Sequence, residues 1–185
     1  MRQNLIVSAL LLMGIGAFAS WNSSVGDDQE KSWFKSTTVD FGIVVSDIDK
    51  SVEFYRDVLG MTEAFSFDVS SQIATDAGLT NQQPATVHVM TAGEGEMATK
   101  VKLMQIGDET PQKQDLTYIN STLGMSYITL HVKNVSQMLE NAAEYNVKPI
   151  AKGPTDISRG SGNKMVLAIV RDPDGNFVEL VGPLN

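Results

Sequence analysis

The sequence predicts an α+β fold: two tandem β-α-β-β-β modules that form a pseudo-symmetric curved sheet around a cleft. Three observations support this prediction: runs of β-branched residues alternate with polar ones, two amphipathic helical segments interrupt them, and the first strand-to-helix segment recurs 87 residues later. Alternation is typical of half-buried strands, and a repeated supersecondary unit generally gives a pseudo-symmetric domain. Two curved sheets that face each other enclose a cleft, which is where proteins usually hold ligands.

Composition excludes several classes of protein. The chain has 185 residues, 14 Lys and Arg against 22 Asp and Glu, a formal net charge of −8 and no Cys. Nucleic-acid binders need clustered cationic side chains, so we expect no nucleic-acid partner. A chain without Cys has no disulfides, thiolate metal sites, iron–sulfur clusters or Cys nucleophiles.

The first 19 residues predict a secretory signal peptide. Arg2 is followed by an apolar run from Leu5 to Ala19, which closes with Ala17-Phe18-Ala19, a pattern that signal peptidases accept. An apolar helix of this length spans about 22 Å, less than the ~30 Å of a bilayer core. We therefore expect an exported chain, periplasmic or extracellular, with no stable membrane span after cleavage.

The remainder predicts a flexible tether and one domain. Residues 20–36 are polar and aperiodic, which indicates the tether, and residues 37–185 form the domain. The domain divides into module one (39–106), a linker (107–124) and module two (125–183). The linker is rich in Gly, Pro and polar residues, as segments between structural units often are.

Module one begins with a strand over 39–46, after which Asp47 is placed to cap a helix. Apolar residues then recur at helical spacing: Val52, Tyr55, Val58 and Leu59. Gly60 ends this helix, because glycine accepts the left-handed conformation. Further strands are predicted over 61–69, 85–91 and 99–106, and a short helix within 71–79.

Module two repeats this order. A strand over 125–132 precedes Asn134, which is placed to cap a helix that Asn146 ends in a left-handed conformation. Strands are predicted over 149–152, 164–170 and 177–181. Between the last two lies Asp172-Pro-Asp-Gly175, a turn in which Pro presets φ and Gly accepts a positive φ.

Two segments resemble a known family. They are 41–61, FGIVVSDIDKSVEFYRDVLGM, and 170–181, VRDPDGNFVELV. They are similar to the vicinal oxygen chelate superfamily, which includes glyoxalase I, extradiol dioxygenases, fosfomycin-resistance enzymes and bleomycin-binding proteins, here as a secreted member. The resemblance implies paired β-α-β-β-β modules and, in many members, a divalent metal held in the cleft.

The resemblance also implies where metal ligands would lie, on the first and fourth strands of each module. These positions fall at Asp40, Lys102, Tyr127 and Glu179, although a slip of two in the fourth strand of module one would select Lys100 or Met104 instead. Metal-binding members use His and Glu here, so only Glu179 has the usual type, and it is the best candidate for a catalytic residue.

The remaining residue types at these positions favour a site without a metal. Asp40 has ligating oxygens, but protonated Tyr127 is a poor ligand, and the ammonium of Lys102 has no lone pair. We therefore expect no cofactor, with Lys102 lying near the metal position and compensating Asp40 and Glu179. If a divalent metal does bind, Asp40 and Glu179 are the predicted ligands.

Other side chains complete the predicted ligand-binding cleft. The full set is Asp40, Lys102, Tyr127, Thr129, His131, Arg159 and Glu179. His131 is either a base that lines the cleft or a buried structural histidine. Arg159 lies in a glycine-containing loop, where it either meets an anionic ligand or is simply solvated.

Three functions remain open from the sequence. The first is an exported, metal-free protein that binds a small organic molecule in the cleft. The second is a metal-dependent lyase, isomerase or dioxygenase of the family's kind, in which Glu179 is ligand or base. The third is a structural or interaction protein with a vestigial cleft. A homodimer is compatible with all three.

Overall fold

Each module folds into a four-stranded mixed sheet with its longest helical segment packed on one side. The computed structural model describes residues 36, 38–95, 97–107, 111–160 and 164–184. The strands are β1 (Phe41–Val44), β2 (Thr62–Val69), β3 (Ala85–Ala92), β4 (Thr99–Ile106), β5 (Tyr127–His131), β6 (Thr155–Asp156), β7 (Met165–Arg171) and β8 (Phe177–Pro183). The helices are α1 (Ile48–Glu53), α2 (Ser71–Asp76) and α3 (Val135–Glu144), and α1 continues as a π-helical turn over Phe54–Val58.

The two sheets share one topology. The first has the strand order β1-β4-β3-β2 and the second β5-β8-β7-β6. In both, the first strand of the module pairs in parallel with the last, and the other pairs are antiparallel. The predicted fold of two tandem β-α-β-β-β modules is therefore confirmed.

The helix ends follow the local sequence signals. The side chain of Asp47 accepts a hydrogen bond from the backbone N–H of Lys50 at 3.1 Å, and Asn134 does the same for Gln137 at 3.0 Å. These contacts satisfy backbone donors that a helix start leaves unpaired. Asn146 has a φ of 62° beyond the end of α3, in the left-handed region as predicted.

One core joins the modules on the helix side of the sheets. Tyr55 and Leu103 of module one pack in the same buried cluster as Ala142, Val178 and Leu180 of module two. Residues Ser36–Asn185 accordingly form one compact unit. α1 and α3 therefore cover one face of the sheets, and the opposite face is left for the cleft.

One predicted strand of module two is wrong. The sequence predicts pairing over 149–152, but β6 lies further along, at Thr155–Asp156. Only Ile150 of the predicted segment makes a backbone contact with the sheet, donating to the carbonyl of Ile169 at 2.9 Å. Pro149 has no N–H to donate, so it adds no hydrogen bond to a ladder here.

Some predictions fall outside the described residues. The signal peptide (1–19) and nearly all of the tether (20–36) belong to this group. Among the residues that are described, none of the helices has the length and apolar character needed to span a bilayer.

Candidate functional site

One end of the sheet face that points away from α1 is apolar. Residues paired in the ladder share a face, and Met104 of β4 pairs with Val44 of β1 and with Val87 of β3. The next layer pairs Ile106 with Ala85. These residues give this end of the face a continuous apolar surface, and Lys102 and Lys100 follow on the same face of β4 towards its start.

This surface forms the floor of a cavity of about 900 Å³, which we call the first-sheet cavity. Its walls are α2 with the loop that follows it, the linker segment 111–116, the chain entering β5, and the turn before β8. Both modules and the linker thus contribute to it. A volume of this size falls within the range of about 300–1,000 Å³ that is usual for small-molecule sites.

Among the lining residues that the structure describes, most are apolar and three are ionic: Lys102, Lys113 and Asp174. Lys102 comes from β4, Lys113 from the linker and Asp174 from the turn before β8. The carboxylate of Asp174 accepts hydrogen bonds from the backbone N–H of Ser46 at 2.9 Å and from its hydroxyl at 2.5 Å. This side chain therefore already has partners within the protein.

Lys102 is paired with Asp40. Its Nζ lies 2.9 Å from Oδ2 of Asp40, and both side chains are about one-third exposed. On either side of Lys102 in the sheet stand Gly42 and Val89, which offer no side-chain acceptor. The charge of Lys102 is thus balanced by one carboxylate, which is not among the residues that line the cavity.

Glu179 has a different partner. Its Oε2 accepts a hydrogen bond from Oγ1 of Thr129 at 2.7 Å, and the two residues are direct ladder partners in β8 and β5. The predicted cluster of Asp40, Lys102 and Glu179 is thus resolved into two pairs, one in each sheet. Lys102 contacts Asp40, and Glu179 contacts Thr129.

The ladder resolves which residue of β4 corresponds to Glu179. Glu179 pairs with Thr129, and Lys102 pairs with Gly42. Gly42 and Thr129 are separated by the same 87 residues as the repeated strand–helix segments. Lys102, rather than Lys100 or Met104, therefore holds the position in module one that Glu179 holds in module two.

The predicted cleft residues divide into two groups. Lys102 and Tyr127 line the first-sheet cavity. The other five are not among its lining residues: Asp40, Thr129, His131, Arg159 and Glu179. Arg159 is exposed in the loop after β6 and has a φ of 48°. His131 follows Thr129 by two residues on the same face of β5 and is also exposed.

Much of the cavity was not predicted from the sequence. The segment 111–116 looks like a polar linker, yet Pro111 and Leu116 both line the site. The floor residues have a signal, the alternation of Val87, Met104 and Ile106, but alternation does not distinguish a buried face from a cavity wall. The covering linker has no such signal, since its place depends on tertiary contacts.

The turn before β8 braces the cavity against module one. Asp172 is buried and accepts four hydrogen bonds: from the Tyr55 hydroxyl at 3.2 Å, the Asp174 N–H at 3.0 Å, and the backbone and side-chain N–H groups of Asn176, both at 2.8 Å. Burial raises the pKa of Asp172, although the hydrogen bonds from Asn176 oppose that shift. Burial, together with the charge of Asp172, raises the pKa of the Tyr55 hydroxyl well above its ordinary value.

The donor set does not fit a metal ion. Within the described part of the chain, no group of three His, Asp or Glu side chains is arranged to hold one. The fourth-strand position of module one carries an ammonium, which repels a cation and has no lone pair to offer. A tight divalent site ordinarily needs three or four good ligands.

A comparison with protein families finds one match over most of the chain. The model described as the glyoxalase/bleomycin resistance protein/dioxygenase superfamily matches residues 37–180. A search of curated proteins finds no match.

Solved structures share the fold. A glyoxalase family protein from Bacillus cereus has a TM-score of 0.67 at 16% identity, covering 84% of this chain and 98% of its own. The trypanothione-dependent glyoxalase I of Leishmania major has a TM-score of 0.55 at 23% identity, and the match covers 78% of this chain and 85% of the Leishmania chain. A mutant glyoxalase I from Zea mays gives 0.56 at 21% identity; the match spans 80% of this chain but 47% of that one.

Proposed function

Because the chain belongs to the glyoxalase/bleomycin resistance protein/dioxygenase superfamily, we propose that it binds a small organic molecule in the first-sheet cavity and does so without a metal. The observation that carries the proposal is the cavity itself, about 900 Å³ in volume. It has an apolar floor, polar groups at a few places, and a cover formed by the linker. This combination is typical of small-molecule sites.

The metal-free part of the proposal rests on Lys102. It stands where module two has Glu179, and its Nζ pairs with Asp40, the other carboxylate at an implied ligand position. A divalent cation would have to displace an ammonium from that carboxylate. The enzyme alternative, in which a metal polarises the substrate, therefore has no support from these residues.

A vestigial cleft would be filled by the protein's own side chains. Instead, Val44 and Phe67 line the first-sheet cavity while remaining 44% and 43% exposed. Leaving such apolar side chains open to water forgoes hydrophobic stabilisation. An apolar ligand that covers them would recover it, which favours binding over a purely structural role.

Equilibrium dialysis and thermal-shift measurements against a library of small organic molecules test the binding proposal. A Val44→Trp substitution would fill part of the cavity from an exposed strand position, and Val39→Trp is its control at a 64% exposed site outside the cavity. We expect ligand-dependent stabilisation in the wild type and in Val39→Trp, and its loss in Val44→Trp. Stabilisation by no compound, or equal stabilisation of both variants, would count against the site.

Metal titration tests the proposal that the site works without a metal. The chelator-treated protein would be offered Mn, Fe, Co, Ni and Zn while its melting temperature is followed. We expect no saturable shift. A near one-to-one shift abolished by Glu179→Ala and Asp40→Ala would instead establish the metal-dependent alternative.

Export is a separate part of the proposal. It rests on the apolar run after Arg2 and the sequence Ala17-Phe18-Ala19. Expression of the full chain in a bacterial host, followed by N-terminal sequencing of the periplasmic and cytoplasmic fractions, tests it. A mature chain beginning near Ser20 is expected. Recovery of only the uncleaved protein would contradict export with cleavage.

A further inference from the structure

We infer that the ligand of the first-sheet cavity is an apolar molecule with one negatively charged carboxylate, which Lys102 binds. This inference rests on the proposed function and specifies its ligand class. It combines two properties of the described lining: an extended apolar floor and the ammonium of Lys102, which has N–H donors left for a ligand.

The charged groups that line the cavity offer a ligand more hydrogen-bond donors than acceptors. Among the described lining residues these groups are two lysines, Lys102 and Lys113, and one carboxylate, Asp174, while Asp40, the partner of Lys102, lies outside the lining. Asp174 already accepts two hydrogen bonds from Ser46. The groups that remain for a ligand therefore favour an anion.

Lys102 retains hydrogen-bonding capacity. An ammonium has three N–H donors, and Nζ of Lys102 contacts a single carboxylate oxygen of Asp40, Oδ2, at 2.9 Å. Its ladder neighbours Gly42 and Val89 provide no side-chain acceptor. Since Lys102 lines the cavity and Asp40 does not, a ligand carboxylate can complete the coordination of the ammonium from the cavity side.

Gly42 places no side chain of its own beside Lys102. The end of the Met104 side chain lies over it, since a Cβ built at this position would meet Met104 Cε at 3.0 Å, and this flexible side chain can move to admit a ligand. The glycine lies directly opposite Lys102 in the ladder. The equivalent position in module two is Thr129, whose hydroxyl instead binds the side chain opposite it, Glu179.

The second lysine reaches the cavity from the linker. The segment is held just beyond Lys113, where Arg171 Nη2 donates to the carbonyl of Thr117 at 3.3 Å. No ion pair of Lys113 occurs within the described residues. Lys113 therefore offers a second ammonium group to an anion in the cavity.

The apolar floor determines the other end of the ligand. Phe67, Val87, Met104 and Ile106 present no hydrogen-bonding groups, so polar groups of a ligand that lie on the floor would lose hydrogen bonds to water without replacement. An aromatic or aliphatic body loses none. The two requirements together describe an apolar acid.

Three matched probes test the class: naphthylacetate, naphthylethanol and naphthylethylamine, with decanoate as an aliphatic acid. Their affinities for the purified protein would be measured by isothermal titration at low and high salt. The variant is Lys102→Met. Its control is Lys100→Met, a change of equal charge two residues earlier on the same face and outside the cavity lining.

We expect at least one acid to bind about tenfold more tightly than the alcohol, which is about 1.4 kcal/mol and typical of a charge-assisted hydrogen bond. The preference should weaken with salt, disappear in Lys102→Met and persist in Lys100→Met. Whether decanoate or naphthylacetate binds better identifies the body as aliphatic or aromatic.

The opposite results are distinguishable. If the alcohol or the amine binds as tightly as the acids, or if Lys102→Met keeps the preference for acid, the ligand class is wrong while the binding proposal stands. If none of the probes binds and the wider library also gives no ligand, the proposed function fails together with this inference.

Discussion

Lys102 and Glu179 occupy equivalent positions in the two modules and carry opposite charges. Lys102 lies opposite Gly42 and Glu179 opposite Thr129, and these partners are related by the repeat of 87 residues. A duplicated fold therefore presents an ammonium on one sheet and a carboxylate on the other at the same ladder position. In module one the ammonium pairs with Asp40, and in module two the carboxylate is held by a hydroxyl.

Lys102→Glu should reverse the sign of the interaction with Asp40. The pair is partly exposed, so we expect a loss of stability of no more than about 1 kcal/mol at pH 7. The loss should shrink as the salt concentration rises, because salt screens the interaction between partly exposed charges. Urea unfolding at low and high salt measures it, with Lys102→Met as the control that removes charge without adding repulsion. A loss that does not change with salt would contradict the ion pair.

Tyr55→Phe should cost about 1 kcal/mol at pH 7 by removing the hydrogen bond to Asp172. The raised pKa of Tyr55 predicts the alkaline behaviour. The unfolded tyrosine ionises near its ordinary value of 10.0 while the folded one stays neutral, so wild-type stability falls as the pH rises above that value. The variant lacks this loss, and its deficit should narrow above pH 10.

Chemical unfolding of wild type and variant at pH 7, 9 and 10.5 checks this behaviour. Tyr145→Phe is the control, since Tyr145 is 42% exposed. A deficit for Tyr55→Phe that widens in alkali would show that the hydroxyl does not stay neutral in the folded state.

Asp172→Asn should destabilise the turn before β8 by about 2 kcal/mol, because one acceptor oxygen becomes a donor that faces other donors. Burial raises the pKa of Asp172 in the folded protein above the ordinary 3.8. Between the unfolded-state pKa and the raised folded-state pKa, the folded state therefore binds more protons than the unfolded state. Wild-type stability contributed by this group therefore falls as the pH rises through that window. The deficit of the variant should be largest at the acid end.

Urea unfolding from pH 4 to pH 7 measures that deficit. Exposed Asp156, whose pKa is lowered by hydrogen bonds from Ser158, provides the contrast. Asp156→Asn should show a small deficit in stability that grows as the pH rises, because a carboxylate whose pKa is lowered in the folded state stabilises the protein more at higher pH. The same trend in both variants would contradict the assignment.

Gly182→Ala should destabilise the second sheet by about 2–3 kcal/mol through overpacking. A Cβ at Gly182 would overlap the backbone carbonyl oxygen of Val132, which has no freedom to move aside. Gly42→Ala is the matched strand position, where the contact is the tip of Met104 and a small shift relieves it. Thermal unfolding of both variants tests the difference, and equal melting temperatures would contradict it.

Local signals in the sequence predict a large part of this fold. Asp47 and Asn134 cap helices because a carboxylate or amide oxygen close to a helix start finds free N–H groups. The turn before β8 forms where Pro173 and Gly175 favour it. Strand positions follow from alternation, and the repeat predicts two modules.

Positions that depend on weak local preferences were predicted less well. The strand predicted at 149–152 lies instead at Thr155–Asp156, at the edge of the second sheet. An edge strand is paired on one side only, so little in its own sequence determines where pairing begins. Likewise, alternation left the register of β4 open, and its hydrogen bonds with β1 are what place Lys102 opposite Gly42.

The sequence by itself determined the two-module fold, its helix ends, and the charged residues available for a site, because these depend on contacts within a few residues and on side-chain chemistry. Only the tertiary structure decided which charges meet. It pairs Lys102 with Asp40 and Glu179 with Thr129, and it brings the linker over the first sheet. The Thr129–Glu179 contact joins residues 50 positions apart and the Ser46–Asp174 contact residues 128 positions apart, and the geometry of such contacts depends on how strands pair and sheets pack rather than on local preference.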